Sequence, residues 1–141
     1  MPSVKLLVEW GVIGLLLGMS VWVVAIGLER WRFYRHVAIA NYSSRVRLER
    51  DLTARLGTIG TIAANAPYVG LLGTVLGIMV TFESLGATGA MDVRTIMVGL
   101  ALALKATAVG IGVAIPCVAI NNALRRKVRE RLSEYDEARG A

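Results

Sequence analysis

The chain has 141 residues, 55% of them hydrophobic and only 18% charged, with a mean hydropathy of +0.59. A chain this short and this apolar falls outside the class of water-soluble domains built round one core, and it reads as a small all-α membrane protein with a single domain over 1–141. The net charge of +6 would suit nucleic acid, but topology and attraction to inner-leaflet lipid explain the same basic residues.

The first apolar block covers residues 10–28, enough for the ~20-residue helix that crosses about 30 Å of hydrocarbon. Lys5 ahead of it imitates the n-region of a signal peptide. The block is longer than the ~7–15 residues of an h-region, however, and Trp10, Trp22 and Trp31 have the character of interface anchors, so a retained span is expected. Residues 29–62 carry Arg30, Arg32, Arg35, Arg45, Arg47, Arg50 and Arg55. Within NYSSRVRLERDLTARLGTIG, the residues Val46, Leu48, Leu52 and Leu56 recur near helical spacing, with Ser43 or Ser44 as N-cap. This predicts a helix that runs on into the second span.

The second block covers residues 63–82. In APYVGLLGTVLGIMVTF, Gly70, Gly73, Thr74, Gly77 and Thr81 fall on one helix face, and Gly73 with Gly77 forms a GxxxG pair suited to close helix packing. The turn over 83–95 has one basic residue, Arg94, and offers Asp92 as N-cap of the next helix, with Thr95 three residues on. The third block, 96–120, has a matching small face in Gly99, Ala103, Thr107, Gly110 and Ala114. Counted inward from Glu83 and Ile96, Thr74 and Thr107 lie ~13–16 Å deep at about 1.5 Å per residue, near the bilayer midplane. Helix packing alone, with each threonine hydroxyl bonded back to its own helix, is the plainer reading of these faces. The tail over 121–141 holds Arg125, Arg126, Lys127, Arg129, Arg131 and Arg139, and places Leu124, Val128, Leu132 and Tyr135 on one stripe that continues the third helix.

Because positive charge stays on the cytoplasmic side, 29–62 and 121–141 are expected inside, with the N-terminus and the 83–95 turn outside. Glu9, Glu29, Glu83 and Asp92 are read as lying at span ends, which leaves no carboxylate within any span. A proton carrier at the midplane would then come from a partner chain. Three spans enclose little, so a polar path calls for several copies round a shared axis.

Taken in order, APYVGLLGTVLGIMVTF and LALALKATAVGIGVAIPCVAINN closely resemble the MotA/TolQ/ExbB family of proton-channel subunits, its ExbB branch most of all. The resemblance is strong over 63–122 and thinner elsewhere. It implies a pentamer in the bacterial inner membrane whose central pore houses helices of an ExbD-like partner, with an aspartate on those helices taking protons. Through a TonB-like protein such a complex drives nutrient import across the outer membrane. The resemblance also implies pore-lining roles for Thr74 and Thr107, and it matches Pro67 to the proline opening span two and Pro116 to the one near the inner end of span three. Many ExbB proteins carry a glutamate where this chain has Leu102, so no role for that acid carries over. The short 29–62 segment disfavours the flagellar stator subunit. A TolQ-like subunit of the Tol–Pal system stays open, as do a self-contained small-solute exporter and a structural scaffold.

Lys105 stands in the middle of the third block, where an unpaired lysine costs ~2.5–3.5 kcal/mol on insertion scales. It is two residues, or ~200°, from Thr107, so it points away from any pore that Thr107 lines. Lys105 is expected to make a lipid or inter-subunit contact, with a partner-chain ion pair and a proton relay as alternatives. Cys117 is read as a packing residue and His36 as solvated or headgroup-facing. No Walker glycine loop, Ser/His/Asp set or metal-ligand spacing occurs. The chain is therefore expected to use an ion gradient, with no enzymatic activity and no cofactor.

Overall fold

The structure, a computed structural model, describes residues 2–89 and 92–140; Ala90 and Met91, in the expected outer turn, lie outside the described residues. All regular structure among the described residues is helical. α1 runs Pro2–His36, a single 3-10 turn covers Ile39–Asn41, α2 runs Arg45–Leu52, α3 runs Leu56–Thr88 and α4 runs Val93–Ala138. The helices α1, α3 and α4 are each long and apolar enough to cross a membrane. In hydrocarbon every backbone polar group must find a partner inside its own segment, so the three apolar blocks all take the helical solution. Each helix outruns its block, and α4 continues without a break into the basic tail.

The helix ends follow capping chemistry. Asp92 accepts a hydrogen bond from the Arg94 amide at 3.2 Å and another from Thr95 Oγ1 at 3.3 Å, which opens α4 as expected. Gly89 closes α3 with φ +67° and donates its amide to Leu85 O at 2.9 Å.

The expected continuous helix from residue 43 into the second span is broken. α2 stops at Leu52, Arg55 takes a left-handed conformation with φ +67°, and α3 starts afresh at Leu56. The cause lies on α1, whose buried Arg30 donates Nη1–H to Asp51 O at 2.8 Å and whose buried Tyr34 donates its hydroxyl to Leu52 O at 2.5 Å. These two side chains occupy carbonyls that would otherwise bond the next helical turn. Arg55 holds its strained position with its guanidinium paired to Glu29. Ser44 does stand at the N-cap of α2, but its side chain makes no capping bond. Of the expected stripe, Leu48, Leu52 and Leu56 are buried, while Val46 points outward and is 67% exposed. The tail stripe is as expected, with Leu124, Val128, Leu132 and Tyr135 buried in one cluster with the α2 leucines.

Tyr34→Phe keeps the ring and strands the Leu52 carbonyl, at a cost of ~1–3 kcal/mol. Trypsin should then cut at Arg47 and Arg50 several-fold faster in detergent-purified protein, and a wild-type rate would mean the leucines alone hold α2. Beside it, the Tyr42 hydroxyl donates to Asp51 Oδ2 at 2.7 Å, and this bond, followed by burial, holds the phenol above its ordinary value of 10.0. Asp51→Asn should bring Tyr42 ionisation back toward that value, read as phenolate absorbance against a Tyr42→Phe reference.

Candidate functional site

The pairing of α3 with α4 depends on missing side chains. A Cβ built on Gly70 would stand 2.7 Å from Ala106 O and 3.0 Å from Gly110 Cα, and one on Gly110 would stand 2.8 Å from Ala66 O. The two backbones touch at this crossing, so any larger residue must push the helices apart. One Cβ on Gly77 would come within 2.9 Å of Ala103 Cβ. Gly73 is a three-helix junction, where a Cβ would meet Ala106 Cβ at 2.8 Å and Val12 Cγ1 of α1 at 2.9 Å. The small faces expected for spans two and three therefore meet each other within one chain. Pro67 and Pro116 lie inside α3 and α4 without ending either helix, and α3 begins well ahead of Pro67.

The two threonines come together in this seam. Thr74, 7% exposed, donates Oγ1–H to Ala103 O of the opposite helix at 2.9 Å, while its distance to its own Gly70 O is 3.4 Å. Thr107, half-buried, is hydrogen-bonded to Thr74 hydroxyl to hydroxyl and also reaches Gly70 O across the seam at 3.4 Å. Thr81 shows the contrast, bonding back to Gly77 O of its own helix at 2.8 Å. If Thr74 gives its one proton to Ala103 O, Thr107 can give its own to Thr74. That arrangement leaves the lone pairs of Thr107, the more open of the two, able to accept from a further donor. A hydroxyl pair of this kind can accept from a neutral carboxyl or turn to donate to a charged one.

Lys105 has a partner within its own chain. Its Nζ lies 3.7 Å from Glu9 Oε1 and 5.9 Å from the centre of the Trp10 ring. Glu9, expected at a span end, stands in the second turn of α1 and reaches across to Lys105 within the third apolar block. α1 itself begins at Pro2, ahead of the first apolar block. As expected, Lys105 points away from the seam, with 53% of its side chain exposed. Leu102 lines the narrow cleft beside Glu9. Cys117 is buried as a free thiol in the core, and His36 is exposed at the end of α1.

Three functional or supporting residues were thus missed: Glu9, Arg30 and Tyr34. For Glu9 the available signal was Lys105 itself, an intramembrane cation in need of a counter-charge. The i, i+4 spacing of Lys5 and Glu9, which puts both on one face of a helix extended toward the N-terminus, adds to it. For Arg30 and Tyr34 there was none, because their partners are backbone carbonyls.

A sequence profile of the MotA/TolQ/ExbB proton channel family matches residues 35–137. The chain belongs to this family. Among curated relatives of the MotA/TolQ/ExbB family, the chain is 50% identical over 140 residues to the biopolymer transport protein ExbB of Aquifex aeolicus, covering 99% of this chain and 95% of that one. It is 50% identical over 118 residues to the ExbB of Helicobacter pylori strain J99, covering 84% of this chain and 79% of the other. To the Tol-Pal system protein TolQ of Pseudomonas aeruginosa it is 38% identical over 89 residues, 63% of this chain and 38% of that protein.

The crossing makes a sharp prediction for this member of the MotA/TolQ/ExbB family. Gly110→Ala should destabilise the helix pair by ~1–3 kcal/mol through overpacking. Gly112→Ala, whose Cβ would meet nothing within 4 Å, should not lower stability. Melting temperatures of the two variants in detergent decide the matter, and equal values would refute the backbone contact.

Proposed function

We propose that this chain is an ExbB-type energy-transducing subunit of a bacterial inner membrane. Several copies, five by family resemblance, form a ring round a shared axis and house helices of an ExbD-like partner, and the proton-motive force captured there drives TonB-dependent import across the outer membrane. The observation that carries the reading is the Thr74–Thr107 hydroxyl pair, cross-bonded between two helices of an otherwise apolar wall. Placement of 29–62 and 121–141 in the cytoplasm, with the N-terminus periplasmic, belongs to the same proposal and rests on the basic residues of those segments. The ExbB of Aquifex aeolicus matches 99% of the chain at 50% identity, whereas the TolQ of Pseudomonas aeruginosa matches 63% at 38%, much as the ExbB of Pseudomonas putida does at 37%; the long, high-identity matches favour the TonB-linked system.

In this reading the chain supplies hydroxyls and a dry wall, while the partner's aspartate binds and releases the proton. Thr107 accepts from the neutral carboxyl, and a turn of its hydroxyl stabilises the charged one. Glu9 does not convert the chain into a self-contained antiporter, because its carboxylate is matched by Lys105 and set in a cleft of about 10 Å3, no more than one water centre requires.

Thr74→Val and Thr107→Val together remove the hydroxyls at nearly constant volume. Gradient-dependent nutrient uptake in cells carrying the double variant should fall by about 2- to 10-fold, the rate equivalent of one net hydrogen bond. Membrane levels and oligomer size are checked in the same cells. Uptake at the wild-type rate would return both threonines to helix packing.

A further inference from the structure

α1 presents a problem of register that the rest of the membrane part does not. It is apolar on every side, with Leu16 and Val23 buried and Leu15, Leu17, Val21 and Trp22 exposed. In lipid such a helix gains little from one rotation or depth over another, because the acyl chains match its side chains. Yet Val12 is seated in the notch of Gly73, next to Thr74. Something specific must hold it there.

The polar residues of α1 form a ladder toward the α3–α4 pair. On the first rung Lys5 reaches the glycine notch of α4, its Nζ 2.9 Å from where a Gly99 Cβ would be. One turn on, Glu9, with 10% of its side chain exposed, meets Lys105 at 3.7 Å. Val12 in the Gly73 notch is the third rung. A slip of one turn, ~5.4 Å, would put Ile13 or Lys5 opposite Lys105 and take the Glu9 carboxylate away from it, leaving the Lys105 cation without its counter-charge in the apolar block, the costliest arrangement available there.

We infer that the Glu9–Lys105 ion pair sets the register of α1, and that through Val12 and Gly73 it keeps the Thr74–Thr107 pair in place. Glu9 and Lys105 are positioning residues. The last step rests on the proposed role of the threonines, so register and transport are read separately.

The test uses the full chain in native membranes. Cysteines replace Val8 and Leu102, which line the same cleft, in a Cys117→Ala background, and a short bifunctional thiol reagent reports how often they meet. Glu9→Gln and Lys105→Met should each lower the crosslinking yield by about fivefold, the population shift expected when one intramembrane polar contact is lost. The exchange Glu9→Lys with Lys105→Glu, which preserves the combined reach of the pair, should restore most of it. Nutrient uptake, measured in the same variants without the added cysteines, should fall and recover in parallel. If a single variant fails to accumulate while the exchanged pair accumulates and crosslinks, the pair is likewise supported. Crosslinking unchanged in both single variants overturns the inference. Crosslinking that falls while uptake stays at the wild-type level overturns the positioning role. Neither outcome touches the Thr→Val experiment, whose failure would instead remove the threonines from the mechanism.

Discussion

Gly70 and Gly110 bring the backbones of α3 and α4 into direct contact, and the polar chemistry of the membrane part depends on that contact. Lipid tails are as apolar as leucine, so helices in a bilayer are held by packing and hydrogen bonds more than by burial. The glycine and alanine faces permit both. Because the helices approach so closely, the Thr74 hydroxyl reaches Ala103 O on the opposite helix at 2.9 Å. At a wider crossing, set by leucine or valine, the same hydroxyl would turn back to its own helix, as Thr81 does to Gly77 O. The small residues are thus the cause and the hydroxyl pair the consequence.

Beyond the apolar blocks the same chain follows the rules of a soluble protein. Leu48, Leu52, Leu124, Val128 and Leu132 are buried together beside charged neighbours. Where water is present, such burial contributes roughly 25 cal/mol per Å2 of apolar surface. The Arg30 cation meets the Asp51 carbonyl in the last turn of α2, the end at which a helix dipole favours positive charge. Arg45 ties the start of α2 to Asp136 near the end of α4 at 3.1 Å. Exposed pairs of that kind add little, so α2 is held mainly by its leucines and by the two buried donors of α1.

What the sequence made legible follows from which signals are local. Apolar length located three long helices, and the stripe Leu124, Val128, Leu132 and Tyr135 located the continuation of the third. The Asp92 cap was readable because its partners are two and three residues away. The seam was readable too, since the spacing of Gly70, Gly73, Thr74 and Gly77 against Gly99, Ala103, Thr107 and Gly110 is a property of each helix by itself. The break at Arg55 was hidden: Leu48, Leu52 and Leu56 keep helical spacing straight through it, and its cause is on α1. Val46 was a misreading that arithmetic could have prevented, because two residues from Leu48 is ~200° round a helix. The pairing of Glu9 was hidden because its partner, Lys105, stands on another helix far along the chain.

The two kinds of polar group inside the membrane part differ in what they can do. An ion pair in hydrocarbon is stiff, since moving either charge away from the other exposes both to a medium that cannot solvate them. Glu9 and Lys105 are therefore suited to fixing geometry and poorly suited to handing a proton onward. Hydroxyls are the opposite case. Rotation of a threonine C–O bond changes donor into acceptor without moving a heavy atom. Thr74 is committed to Ala103 O, so the adjustable member is Thr107, the less buried of the two. Charges that hold still and hydroxyls that turn give a surface that can meet a carboxyl in either protonation state while keeping its own shape.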